Sequence, residues 1–133
     1  MKKKGLAALL LLCAFCLTGC ARYTSGYSAM GLIHANIGNT ASMDFYQFSG
    51  KMVFTLTCED PAKEAIRYTG RLECGSATVW YDCGDGKVKL FSIVPGKEAD
   101  DLGGQLAKGT VYIIVETKEK CQNGSFHFGI EAL

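Results

Sequence analysis

Two histidines, seven cysteines and a few neighbouring carboxylates are the residues of this chain whose types could carry chemistry. A serine or cysteine nucleophile needs a base within hydrogen-bond reach, most often a histidine. His34 lies in a polar stretch near the N-terminus, and His127 alternates with Phe126 and Phe128, which places it on the opposite, solvent-facing side of a strand. No G-x-S-x-G nucleophile elbow occurs. The pairs Glu59-Asp60 and Asp100-Asp101 are poor glycosidase candidates, because the acid and the base must flank the scissile bond. Calcium takes about six to eight oxygen ligands. Asp82, Asp85 and Asp100-Asp101 offer a few at one end of a fold, without EF-hand-like spacing. The pattern therefore points to no catalytic residue, no metal site and no cofactor.

The cysteines divide once the N-terminus is read. Lys2, Lys3 and Lys4 precede an apolar run from Leu6 to Leu17, and Thr18 and Gly19 are the small residues that a peptidase needs before a cut. The run is shorter than the roughly 20 apolar residues of a membrane-spanning helix. Leu17-Thr18-Gly19-Cys20 resembles the lipobox of bacterial lipoproteins. That resemblance implies a signal peptide over 1–19, with Cys20 as a lipidated mature N-terminus. Membrane lipid is then a partner, and the domain sits on the extracytoplasmic face of a bacterial membrane. At about 0.8 kcal/mol per buried methylene, two or three acyl chains make such an anchor durable.

Cys13 and Cys16 leave with the signal, and Cys58, Cys74, Cys83 and Cys121 stay in the exported part. Four thiols in an oxidising location are expected to form two disulfides. Zinc is a weaker reading, since none of the four stands in a close C-x-x-C pair; reduced thiols are a third. Cys74 and Cys83 bracket one extended strand, which holds them too far apart to join. Chain direction favours Cys83 with Cys121, leaving Cys58 with Cys74.

The elements that position these residues read as strands. From 20 to 40 the chain is rich in Gly, Ser, Thr, Ala and Asn and is expected to be a flexible tether, with 32–37 as an alternative edge strand. The domain proper is expected over 41–133. Met52, Phe54, Leu56 and Cys58 alternate with Val53, Thr55 and Thr57, a half-buried strand. Asp60-Pro61 suits the start of a helical turn. Further strands are expected near 65–72, 77–82, 88–94, 110–116 and 125–131, with turns at Ser49-Gly50, Gly84-Asp85-Gly86 and Asn123-Gly124. The polar connection 97–108 is expected to be mobile. About seven short strands and almost no helical period predict an antiparallel β-sandwich, jelly-roll-like. Lys and Arg total 14 against 13 Asp and Glu, interleaved along the chain, so no nucleic-acid surface is expected.

Two stretches carry a further resemblance. Lys108-Gly109-Thr110-Val111-Tyr112-Ile113-Ile114-Val115, followed by Gly124-Ser125-Phe126-His127-Phe128, resembles the closing strand pair of bacterial pre-peptidase C-terminal type sandwiches and of small Firmicute surface lipoproteins. The stretch from Val79 to Lys87 is similar to their strand, D-x-x-D-G-like turn and returning strand. The resemblance implies a binding or accessory module without chemistry of its own, meeting a cell-surface protein or glycan. On the residues alone, Trp80, the single tryptophan, beside Tyr81 is the candidate ligand platform. A carbohydrate-binding or hydrolase-accessory role through Trp80 and nearby tyrosines is the alternative, against a Trp80 packed within the sandwich.

Overall fold

The computed structural model describes residues 23–133. Nine strands run in the order β1 (Gly26–Met30), β2 (Ile33–Ile37), β3 (Thr40–Cys58), β4 (Glu64–Arg71), β5 (Ala77–Asp82), β6 (Val88–Ile93), β7 (Ala99–Gly103), β8 (Gly109–Thr117) and β9 (Cys121–Ala132). Among the described residues there is no helix, and every named pairing is antiparallel. The sandwich is made by one sheet folded over itself, in the order β6-β5-β8-β3-β9-β4-β7, with β1 and β2 added along β3.

The fold-over happens inside β3. Its first part, through Phe48, pairs with β9, and its second part, from Lys51, pairs with β8. The buried positions change phase at the same place: Ala41, Met43 and Phe45 before it, then Phe48, Met52, Phe54, Leu56 and Cys58. A phase change re-aims a strand, because alternate residues point to opposite faces. Gly50 sits at the bend with φ of 125°, and a β-carbon there would collide with the backbone of Gly26. The Ser49-Gly50 turn signal is thus used as a bend within one 19-residue strand.

The bend creates two halves, the β9 half (β2, the start of β3, β9, β4, β7) and the β8 half (the end of β3, β8, β5, β6). Aromatic rings join them. Phe91 of β6 stacks on Tyr68 of β4, with ring centroids 4.5 Å apart, and meets Phe126 and Phe128 of β9 at 6.4 Å. Phe54 of β3 reaches Phe128 at 6.2 Å. Leu90 of β6 packs against Gly103 of β7, so the two end strands approach and the sheet nearly closes. Burying rings of this size is the main force holding such a sandwich together.

Four expectations change. Within the stretch read as a tether over 20–40, Gly26–Met30 and Ile33–Ile37 are strands paired to β3, the second at the alternative edge strand 32–37, and pairing takes their backbone groups out of solvent competition. The connection 97–108 contains β7, paired to β4 through Ile66↔Gly103 to Gly70↔Ala99. Asp60-Pro61 forms a turn and no helix: the Asp60 carboxylate accepts from Ala62 N at 3.2 Å and its carbonyl accepts from Lys63 N at 3.1 Å. Asn123-Gly124 lies inside β9. Asn123 takes a left-handed φ of 48°, the conformation its type tolerates, but the chain continues straight on.

A seam between the halves is closed by side chains. Asn36 Nδ2 donates to Thr55 O at 2.8 Å while its Oδ1 accepts from Thr55 N at 2.7 Å. Asn39 does the same with Thr57, at 2.9 and 2.8 Å. Each amide acts as one peptide unit of a missing neighbour strand, and so covers an edge that would otherwise be free to pair with another chain.

Candidate functional site

Strand register assembles a groove on the outer face of the β9 half. Asp44 lies opposite Ser125, and Ser42 opposite His127, on β3 and β9. On the far side of β9, Arg71 lies opposite Ser125, Thr69 opposite His127 and Arg67 opposite Gly129. Alternation turns Ala41, Met43, Phe126 and Phe128 into the core, so this polar set faces out. Gly129 carries no side chain between Thr40 and Arg67, which leaves a groove of about 460 Å³. Along its edge, β2 sets Ile33 opposite Asp44 and Ile37 opposite Thr40. These isoleucines are 74% and 76% exposed. Beyond Asp44 the face continues into a basin of about 880 Å³ whose walls include Tyr46, Arg71, Glu73, Lys97 and Asn123.

The polar groups are ordered among themselves. Ser125 Oγ donates to Asp44 Oδ1 at 2.6 Å, and His127 Nε2 stands 3.9 Å from the same oxygen. The carboxylate therefore sits between hydroxyl and imidazole, whereas a nucleophilic triad places the imidazole in the middle. Arg67 Nη2 donates to Asp100 Oδ1 at 2.6 Å, an exposed pair that orients the guanidinium along the groove wall. The arrangement offers hydroxyls, a carboxylate, an imidazole and a guanidinium to a ligand, next to an apolar lip. His34 is exposed on β2 opposite Met43 and lies outside this cluster.

Trp80 and Tyr81 do not form one platform. They are consecutive in β5 and so point to opposite faces. Tyr81 is buried, and its hydroxyl accepts from Gln105 N at 3.0 Å. Trp80 is half-buried on the outer face of the β8 half, with Lys87 Nζ 4.5 Å from its ring centroid. Lys87 is tied in turn to Glu116 at 3.2 Å. Asp82, which the sequence offers as a cation ligand, is buried as a turn-former. Its Oδ1 accepts from Gly84 N at 2.7 Å and Gly86 N at 3.2 Å, and its Oδ2 accepts from Tyr23 Oη at 2.6 Å. Among the described residues no three His, Cys, Asp or Glu side chains converge.

The expected disulfides are not formed, and Cys58, Cys74, Cys83 and Cys121 are separate thiols. Cys121 Sγ lies against Ser76 O just before β5 begins, whereas Cys83 follows the end of β5, so the length of that strand separates Cys83 from Cys121. Cys74 bridges to Gln122, next to Cys121, but Cys74 is exposed and Cys121 wholly buried, so their side chains leave the sheet on opposite sides. Side chains that point apart cannot be joined without moving the backbone. Cys58 and Cys121 act as small core residues. Burial pushes the thiols of Cys58, Cys83 and Cys121 up from their ordinary value, helped at Cys58 by Glu64 and at Cys121 by Glu119. Cys20, read as the lipidated residue, lies outside the described residues.

The groove residues were not legible as a set. Ser42, Asp44, Arg67 and Ser125 read only as solvent-side positions of alternating strands, and the gap at Gly129 depends on which strands lie beside it.

What the fold and site define is an all-β sandwich with an open polar groove. No protein-family model matches the chain, and no curated protein matches it. Among solved structures it is similar to PliG of Aeromonas hydrophila, a periplasmic lysozyme inhibitor of g-type lysozyme. The TM-score is 0.44 at 15% identity, over 73% of this chain and 90% of that one. It is also similar to CBM4, with a TM-score of 0.37, 11% identity, and 80% and 81% of the two chains covered. The Drosophila melanogaster CENP-C cupin domain follows at 0.33, with 9% identity over 80% and 75%. The likeness is one of β-rich architecture.

Proposed function

We propose that this chain is a lipid-anchored cell-envelope protein whose β-sandwich binds a macromolecular partner through the groove of the β9 half and performs no reaction itself. The anchor reading rests on Leu17-Thr18-Gly19-Cys20 and the charged and apolar segments before it. The binding reading rests on one observation: Ile37, about three-quarters exposed, lines the groove with Ser42, Thr69, Arg67 and His127, and register continues the same face into Ile33, Asp44 and Ser125. Contacts between proteins combine apolar anchors with directional polar groups in this way. A glycan is the second reading, favoured by the hydroxyl and carboxylate groups along the same floor. The half-buried Trp80 under Lys87 gives that reading no stacking surface.

Site-specific photo-crosslinking in intact cells tests it. A cross-linking residue at Ile37 or His127 is expected to yield one discrete adduct, and the same residue at exposed Lys118 none. Equal, diffuse adducts from all three positions overturn a binding role for the groove. Loss of the adduct on adding peptidoglycan fragments assigns the groove to glycan.

A further inference from the structure

The first described residues are held to the sheet. Tyr23 Oη donates to Asp82 Oδ2 at 2.6 Å, and the Tyr23 ring lies 5.4 Å from that of Tyr112. Two residues later, Ser25 Oγ accepts from Val53 N at 2.9 Å. The Tyr23 contacts lie on the outer face of the β8 half, and the Ser25 bond fixes the chain at the edge of β3 beside it. Register sets Asp82 opposite Tyr112 and Trp80 opposite Ile114 on adjacent strands, so Trp80 is a diagonal neighbour of Tyr112. Lys89 pairs with Trp80 from the other side, and Lys87 reaches over its ring.

Cys20 stands three residues before Tyr23. Three extended residues span at most about 11 Å, while the headgroup layer of one leaflet is roughly 5 to 8 Å deep. A lipid on Cys20 therefore leaves the pinned face almost no clearance. We propose that the face bearing Trp80, Tyr112, Lys87 and Lys89 rests against the headgroups of the membrane that anchors Cys20. This rests on the lipoprotein reading given above. Its chemistry suits that place, since Trp and Tyr favour the interface between hydrocarbon and water and lysines favour anionic headgroups. The stretch read as a slack tether is a short leash, and the β9 half, across the core, turns its groove away from the bilayer toward partners.

Trp80 is the only tryptophan, which makes it a site-specific reporter. The full-length protein, purified from its native membranes, is first weighed intact to read acylation at Cys20. It is then placed in vesicles containing headgroup-nitroxide lipid. Trp80 emission is expected to fall roughly twofold, as for an interfacial indole, while a Tyr46→Trp reporter in a Trp80→Phe background, on the far half, keeps its emission. An acylated, vesicle-bound protein whose Trp80 is unquenched, or quenched no more than position 46, overturns the proposal and leaves the anchor standing. Absence of acyl mass together with loss of vesicle binding overturns the anchor reading, and the proposal with it. A Trp80 that is unquenched in vesicles but shifts with N-acetylglucosamine oligomers gives the face to glycan and likewise overturns the proposal.

Discussion

The two outer faces of this sandwich are built from the same alternation and end in opposite conditions. On the β8 half the chain's own N-terminal segment crosses the sheet, and Tyr23 is held by Asp82 and Tyr112. On the β9 half nothing comparable crosses among the described residues: His127 is 55% exposed, Asp44 51%, and the isoleucines of β2 stand beside them. The contrast shows how one sheet serves two tasks. A face covered by its own chain is positioned by intramolecular bonds, whereas an open face keeps its hydrogen-bonding groups for something else.

The largest test removes what the faces share. Phe126→Ala takes a fully buried ring from between the halves and should cost about 3 to 5 kcal/mol; urea unfolding measures it. A much smaller loss would mean that the halves do not unfold together. Gly124→Ala separates them: a β-carbon there collides with the Phe45 ring and crowds Leu72, so about 1 to 3 kcal/mol should be lost on the groove side. The native Trp80 emission should stay unchanged, because the damage is on the other half. At the seam, Asn36→Ala removes three hydrogen bonds to backbone and Asn39→Ala two, and each should cost about 1 to 2 kcal/mol. Hydrogen exchange should quicken at the Thr55 and Thr57 amides and not at Ile113.

The thiols sharpen the comparison through pH. Exposed Cys74 should be alkylated first in the native protein, and Cys83 and Cys121 only at higher pH, since burial raises their thiols. The folded state then holds these protons more tightly than the unfolded chain, so stability falls as pH climbs through and above the ordinary thiol range. Full alkylation of all four in denaturant without reductant, read by mass, checks that they are unpaired. The smallest effect on folding belongs to the open face. His127→Ala should change stability by no more than about 0.5 kcal/mol while abolishing the groove adduct, and a large loss of stability would mean that His127 supports the fold.

Much of the fold was readable in alternation. Met52 to Cys58 and Phe126 to Ile130 declare their inward faces by type, and Gly84-Asp85-Gly86 declares its hairpin, because these signals depend on neighbours within a few positions, whereas both faces of Ala77 to Asp82 are bulky. Turn chemistry at Ser49-Gly50 and Asn123-Gly124 was equally visible, yet both became irregularities inside long strands. A positive φ is a local preference; whether the chain reverses or merely bends is decided by the strands on either side. The polar stretches 26–30 and 99–103 looked unstructured because edge strands bury little, and only pairing with β3 and β4 makes them regular, whereas 32–37 was readable as an edge strand.

The sequence by itself determined the strand faces, the β5–β6 hairpin and the all-β class, through periodicity that each segment carries alone. It also holds the whole case for the anchor, in Leu17-Thr18-Gly19-Cys20 and the charged and apolar segments before it. Only the tertiary structure decided that Ser125, 81 positions from Asp44, would share its carboxylate, and that Tyr23, 59 positions from Asp82, would bond to it. It also left the four cysteines unbridged and set two asparagines in place of a strand. Those outcomes follow from which distant segments the bend at Gly50 brings side by side, and no local preference encodes that choice.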